Sequence, residues 1–178
     1  MSTNKFNLFI ENARLLSDKF NIVSLLYGSL GLEYLTGDDL GADDIDILVP
    51  HVFIADRWQE FKAVLEEHGY VLTDEHEHAF ARDGVAYSYA DVEDLESFAG
   101  IRMKDIEMRK ADGVRFLLLS LEQYLAVYKQ SSKDGYRVNV RQKRMPIKSD
   151  LLRANCDEKS YSHRLSRKWQ KHGFADVT

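Results

Sequence analysis

Two aspartates lie two residues apart inside an otherwise apolar segment, as Asp44-Ile45-Asp46-Ile47-Leu48-Val49. Alternate side chains of a β-strand share one face, so a strand here would point both carboxylates the same way and the isoleucines into a core. Neighbouring carboxylates repel each other unless a cation or a proton lies between them. Such oxygens suit Mg²⁺, which usually takes one or two carboxylates together with substrate phosphates. The pair therefore predicts a site for Mg²⁺ or Mn²⁺ rather than two surface acids on an edge strand.

A Gly-Ser pair, Gly28-Ser29, follows the apolar residues that end at Tyr27 and precedes a helical pattern that starts near Leu30. The pair is thus expected at a helix N-terminus, where unpaired backbone N–H groups favour a phosphate. Glycine lets an anion approach the backbone closely, and Ser29 can cap the helix and donate to a phosphate oxygen. We therefore expect Gly28 and Ser29 to bind a triphosphate, beside a metal pair of the kind that phosphoryl chemistry uses.

The two motifs together resemble the polymerase-β-like nucleotidyltransferase superfamily. Its signature is an apolar strand, Gly-Ser or Gly-Gly, a short helix, and apolar-Asp-apolar-Asp/Glu on the next strand, which Gly28-Ser29 and Asp44-Ile45-Asp46 match. The resemblance covers residues 20–130, and closely 23–50. It implies an α/β fold of the α+β kind, with a mixed sheet flanked by helices and a C-terminal helical extension. It also implies transfer of an NMP group from a Mg-bound NTP, with ATP expected, to an unknown acceptor. Asp44 and Asp46 would then be catalytic and would hold the metal.

Many members of this superfamily carry a third acid on a later strand. The corresponding segment here runs from residue 83 to residue 91 and has Ser88 at that place, with Asp91 and Glu93 as alternatives near its end. Without a third acid, neither proton removal from an acceptor hydroxyl nor binding of a second metal is provided for. A second hypothesis is therefore a catalytically inactive module of the same fold that binds a nucleotide, RNA or a protein.

Hydrophobic spacing predicts the elements that must position these residues. Helices are expected over 4–19, from Leu30 to about Gly37, over 53–68 and after Ser120, and strands over 22–27, 45–49, 70–73, 78–81, 85–90, 106–110 and 114–119. The Gly- and Asp-rich turn over 37–43 should keep Asp38, Asp39 and Asp43 in solvent. This order of elements suits a small mixed α/β fold.

Charge is distributed unevenly along the chain. Residues 1–100 contain 6 basic and 20 acidic residues, a net charge of −14, whereas residues 101–178 contain 18 and 9, a net charge of +9. The halves could attract each other, the basic residues could simply be solvated, or the segment 129–148 could contact RNA. We expect one domain, with a nucleotidyltransferase-like core over 1–119 and a basic helical extension over 120–178 packed on it. The resemblance implies that Lys133 and Arg137 reach the triphosphate.

Composition and the N-terminal residues predict a cytoplasmic protein with no membrane partner. The 178 residues are 44% apolar and 30% charged, which is ordinary for a soluble domain. The N-terminal residues lack the apolar run of a signal peptide, and no apolar stretch approaches the ~20 residues that a membrane helix needs. Cys156 is the single cysteine, which excludes a disulfide within the chain and a cysteine metal site.

Overall fold

A seven-stranded mixed sheet organises the first of the two units into which the chain divides, residues 1–120. The structure, a computed structural model, describes residues 3–131. In chain order the strands are β1 (Leu25–Leu26), β2 (Asp44–Val49), β3 (Val71–Asp74), β4 (Ala79–Arg82), β5 (Val85–Asp91), β6 (Glu107–Ala111) and β7 (Val114–Leu118). Their order across the sheet is β3-β4-β5-β2-β1-β7-β6. Strand β1 pairs antiparallel with β2 and parallel with β7, and β2 pairs parallel with β5.

Helices occur between the strands in the order α1 (Thr3–Phe20), α2 (Gly28–Thr36), α3 (His51–Ile54), α4 (Trp58–Glu67) and α5 (Asp94–Ala99). A short 3-10 turn at Met103–Asp105 precedes β6. The second unit, residues 121–178, begins with α6 (Leu121–Ser131). Within residues 3–131, no helix is both long and apolar enough to cross a membrane. The predicted mixed sheet flanked by helices is confirmed, whereas the packing of residues 120–178 on the core stays a prediction.

An aromatic core lies on one face of the sheet, where α1 and α4 pack against it. Phe9 of α1 packs edge-on against Phe116 of β7 at 5.4 Å between ring centroids, and Phe61 of α4 packs edge-on against Tyr89 of β5 at 5.1 Å. Tyr89 pairs in register with Ile47 of β2, so these side chains share a face. Side chains two residues away from Ile47 share that face, whereas Asp44 and Asp46 belong to the opposite one. We call this opposite surface of β2 and β5 the acid face.

The predicted single helix over 53–68 is wrong, because the chain leaves the helical conformation between α3 and α4. Ala55 has φ −119° and ψ −92°, and Arg57 has φ −106° and ψ 20°. The Arg57 guanidinium lies 4.7 Å from the centroid of the Phe53 ring and 5.6 Å from that of Phe20. Phe61 also stacks on Phe20, at 5.6 Å. The break thus lets two consecutive helices place aromatic rings around the end of α1.

The predicted strand over 22–27 is shorter in the structure, where only Leu25 and Leu26 form β1. Asn21 has φ 56°, a left-handed conformation in which the chain turns out of α1. The chain turns again at Gly28, where α2 begins. The short length of β1 follows from these two turns, and Leu25 and Leu26 are fully buried between β2 and β7.

A histidine–aspartate pair joins the far ends of β2 and β5. His51, the first residue of α3, donates from Nδ1 to Oδ2 of Asp91 at 2.6 Å. Oδ1 of Asp91 accepts the backbone N–H of Glu93 at 2.7 Å. The hydrogen bond that His51 donates to Asp91, and then the negative charge of Asp91, raise the pKa of His51 above its ordinary value.

The pair should make stability depend on pH in a definite direction. Because the pKa of His51 is raised in the folded state, its stabilisation is complete below the unfolded pKa of about 6.5 and is lost as pH rises through the folded pKa. We expect the free energy of unfolding of wild type and His51→Ala to differ most at low pH and to converge at high pH. Urea titrations between pH 5 and pH 9 measure this, with His68→Ala as control, because His68 Nδ1 contacts the Val64 carbonyl instead of an acid. A difference that does not change with pH would contradict it.

Candidate functional site

The antiparallel pairing of β1 and β2 brings the two sequence motifs together. Leu26 pairs with Ile47, and beyond the last ladder pair the N–H of Tyr27 donates to the carbonyl of Asp46 at 3.0 Å. The end of β1 therefore lies beside the beginning of β2. The turn that follows Tyr27 and the two aspartates of β2 meet at this edge, although 15 residues separate Gly28 from Asp44.

Gly28 is the first residue of α2 and has φ +64°, a left-handed conformation that glycine adopts readily. It allows the chain to turn sharply from the strand into the helix, whose first hydrogen bond runs from the N–H of Gly31 to the carbonyl of Tyr27 at 3.2 Å. The helix has no side-chain cap at Tyr27. Gly28 and Ser29 thus supply the first backbone N–H groups of a nine-residue helix, where the helix dipole favours an anion.

The carboxylate of Asp46 packs directly against Gly28. A Cβ atom built on Gly28 would stand 1.8 Å from Oδ2 and 2.8 Å from Cγ of Asp46. Real Cβ atoms do not approach other atoms so closely, so only glycine leaves room for this carboxylate. The contact joins an acid of the predicted metal pair to the first residue of the predicted phosphate turn.

Asp44 begins β2, and its side chain is partly exposed, as is that of Asp46. The strand alternation places both on the acid face, with Ile45 and Ile47 fully buried on the other side. The preceding Asp43 is exposed. In the loop before it, Asp39 is exposed and Asp38 is half-buried, so this loop is less completely solvated than the sequence predicts.

No third acid lies beside the pair in β5. Because β2 and β5 are parallel and in register, Asp44 pairs with Ala86 and Asp46 pairs with Ser88. The side chain next to Asp46 on the acid face is therefore a half-buried hydroxyl. Asp91 is not a substitute, since it pairs with Val49 three residues further along, on the opposite face, and bonds His51.

The donor set fits a divalent cation that is shared with a ligand. In residues 3–131, no group of three or more His, Cys, Asp or Glu side chains could hold a metal ion by itself. Asp44 and Asp46 would therefore give hard carboxylate oxygens from one side, and phosphates and water would complete the coordination. Mg²⁺ is usually bound in this way, by one or two carboxylates plus substrate phosphates.

The predicted basic side of the site, Lys133 and Arg137, lies outside the described residues, as does the segment 129–148 beyond Ser131. The structure also contains an acid near the site that the sequence analysis did not single out. Glu33 of α2 is fully buried, and its Oε1 accepts the N–H groups of Leu40 and Ala42. The only signal in the sequence was a carboxylate between the apolar residues Leu32 and Tyr34.

Solved structures with a similar fold are nucleotidyltransferases. An antigenic nucleotidyltransferase-like protein from Paracoccidioides brasiliensis aligns with a TM-score of 0.59 and 16% identity, over 96% of this chain and 90% of that one. A solution structure of the antibiotic-resistance factor ANT(2'')-Ia aligns with a TM-score of 0.53 and 16% identity, over 97% and 98% of the two chains. A crystal structure of ANT(2'')-Ia with adenylyl-2''-tobramycin gives 0.56 and 14%, over 96% and 100%. At these identities the likeness shows the fold, and the predicted polymerase-β-like nucleotidyltransferase fold is confirmed.

A curated relative gives the family at the level of sequence. The chain is 40% identical over 132 residues to the uncharacterized protein YnaI of Bacillus subtilis (strain 168), which is 74% of this chain and 85% of that protein. No protein-family model matches the chain. The chain therefore belongs to the same family as Bacillus subtilis YnaI, and its own fold is that of the polymerase-β-like nucleotidyltransferases.

Proposed function

We propose that this protein binds an NTP with Mg²⁺ or Mn²⁺ and transfers its NMP group to a hydroxyl of an acceptor molecule. The contact between the Gly28 backbone and the Asp46 carboxylate carries the proposal, because it brings a helix start that could bind an anion next to an acid that could bind a metal. ATP is the proposed donor, and the adenylyl-tobramycin in one ANT(2'')-Ia structure of the same fold supports this choice.

Electrostatics explains why a cation should be required. A triphosphate held at the start of α2 would bring its negative charge next to Asp46 and Asp44. Like charges at such a distance are unfavourable unless a cation lies between them. Nucleotide binding should therefore depend strongly on a divalent metal, whereas a helix start without acids would bind phosphate without one.

In the transfer step, an acceptor oxygen forms a bond to the α-phosphorus of the NTP while the bond from that phosphorus to the bridging oxygen breaks. Pyrophosphate leaves with the electron pair of the broken bond, and the hydroxyl proton of the acceptor passes to solvent water. The bound cation would neutralise charge on the transferring and leaving phosphates. Gly28 and Ser29 would hold the phosphates in line, Lys133 and Arg137 would reach the triphosphate from the C-terminal unit, and positioning with preorganised charge would supply most of the acceleration.

A second candidate function is a binding module of the same fold that does not transfer the nucleotide. The observation that favours it is the register of β5, which puts Ser88 beside Asp46. A serine hydroxyl cannot take the acceptor proton at neutral pH as a carboxylate can. The partner would then be a nucleotide, a protein, or RNA bound through the basic segment 129–148.

Neutralising either aspartate should abolish metal-dependent nucleotide binding. We expect Asp44→Asn and Asp46→Asn to lose binding of Mg-ATP in calorimetric titrations while they keep the wild-type melting temperature. Asp38→Asn removes one charge from the loop before β2 and serves as the matched control that still binds. Retained Mg-dependent binding in both site variants would refute the metal assignment.

Substituting Gly28 should displace Asp46. In Gly28→Ala the new Cβ would occupy the space of the carboxylate, so we expect loss of Mg-ATP binding and a lower melting temperature. Gly100→Ala is the matched control: Gly100 follows α5, away from the site, has φ +70°, and a Cβ atom built there would meet nothing within 4 Å, so this variant carries a similar backbone cost of roughly 1–2 kcal/mol without a collision. Equal Mg-ATP affinity in both variants would contradict the importance of this contact.

Adding the missing acid separates the two candidate functions. Ser88→Asp would place a third carboxylate beside Asp46, and a positioned base is worth about 10²–10⁴-fold in rate. We expect faster pyrophosphate release from ATP, with Mn²⁺ and a panel of hydroxyl acceptors, in Ser88→Asp than in wild type. Ala90→Asp, which adds the same charge further along the acid face, is the control. If wild type releases pyrophosphate and Ser88→Asp releases it at the same rate, the third acid is not needed. If both proteins bind ATP but neither releases pyrophosphate, the binding module is favoured.

A further inference from the structure

We propose that Glu33 is a positioning residue that fixes the start of β2, and thereby Asp44 and Asp46, relative to the phosphate turn at Gly28. The inference rests on the proposed function, because it assigns Glu33 to the same metal and nucleotide site. Glu33 lies on α2, the helix that Gly28 begins, five residues further along. It would act through the loop that follows the helix and would not touch the nucleotide.

The side chain of Glu33 binds the backbone of the loop between α2 and β2. Oε1 accepts the N–H of Leu40 at 3.0 Å and the N–H of Ala42 at 2.8 Å. The carbonyl of Ala42 accepts a hydrogen bond from Nζ of Lys5 on α1, so the peptide groups on both sides of Ala42 are fixed. Asp44 follows two residues later, which leaves little freedom between the anchored loop and the first metal ligand.

The loop between α2 and β2 has no regular secondary structure that would fix the position of Asp44. Residues 37–43 form neither helix nor strand, and the loop contains Gly37 and Gly41, both with positive φ. Side chains other than Glu33 that bond its backbone include Lys5 of α1 at the carbonyl of Ala42, Thr36, whose Oγ1 accepts the N–H of Asp38 at 3.2 Å, and Asp39, whose Oδ1 accepts the N–H of Gly41 at 2.9 Å. In the half of the loop next to β2, Glu33 accepts two backbone N–H groups, and Lys5 donates to one backbone carbonyl.

Stability alone does not account for a carboxylate at this place. Glu33 is 0% exposed, and its second oxygen, Oε2, is buried with no hydrogen-bond partner among residues 3–131. Burying a carboxylate is costly unless it is paired and fully hydrogen-bonded, and an apolar side chain of similar size is often as stable or more so. What the buried carboxylate provides is the pair of hydrogen bonds that Oε1 accepts from the two loop amides. The geometry points to positioning of β2 as the role of these hydrogen bonds.

The test compares two near-isosteric variants of the full chain. Glu33→Gln keeps an oxygen that can accept from Leu40 and Ala42, whereas Glu33→Met removes the acceptor and fills the same space. The measurements are the affinity for Mn-ATP by calorimetry, the melting temperature, and amide hydrogen exchange of residues 40 and 42. We expect Glu33→Met to fold, to lose protection at both amides, and to bind Mn-ATP about 10- to 100-fold more weakly, as for other groups that orient metal ligands. Glu33→Gln should stay close to wild type in all three.

The control is Thr36→Val, which removes the loop contact far from Asp44 and should lower the melting temperature without changing Mn-ATP affinity. If Glu33→Met does not fold, Glu33→Asp keeps the charge but withdraws the oxygens by one methylene, and the same weaker binding is expected. Wild-type affinity in the folded variant, or equal weakening in Glu33→Gln, would overturn the positioning role alone. Failure of the wild type to bind Mn-ATP would overturn the proposed function and this inference with it.

Discussion

The packing of the Asp46 carboxylate on the backbone of Gly28 is the constraint on which the candidate site depends. The start of α2 carries the partial positive charge of a helix N-terminus, and Asp46 lies against it. A phosphate that approaches the same N–H groups meets a carboxylate already there. Under the proposed function, this site would therefore accept a phosphate only together with a cation, because the first residue of α2 and an acid of β2 lie in contact.

The two faces of the sheet have different roles: the core face fixes the strand pairing, and the acid face leaves Asp44 and Asp46 accessible. On the core face, rings such as Tyr87, Tyr89 and Phe80 are fully buried and fix how β4, β5 and β2 pair. On the acid face, the neighbours in β5 are small, and Ala86 and Ala90 are exposed. A slip of one residue in β2 would carry both aspartates into the aromatic core, so burial of Ile45 and Ile47 also fixes the direction of the acids.

Features that depend on residues close in the sequence were predicted from hydrophobic spacing and turn residues. Features that depend on contacts between distant residues were not. The Gly28 turn, the acid strand and the place of Ser88 follow from spacing and alternation. The break between α3 and α4 could not be predicted this way, since apolar periodicity runs through it and the cause is the packing of Phe53 and Phe61 around Phe20. Glu33 was missed because its partners lie seven and nine residues away in a loop, and a glutamate in a helix ordinarily indicates a solvated position.

In the proposed function, nucleotide binding and nucleotidyl transfer need different groups from β1, β2 and β5. Binding needs the helix start, a cation and two carboxylates that face it, and the protein's share of these lies at one edge of β1 and β2. Transfer needs in addition a place for the acceptor proton, and both carboxylates lose basicity when they ligate a cation. With Ser88 as their neighbour in β5, the proposed transfer would need that place from the acceptor, from solvent or from residues outside β5. An acceptor whose hydroxyl is already acidic would need the least help, so the position of Ser88 bears on which acceptors the proposed transfer could use.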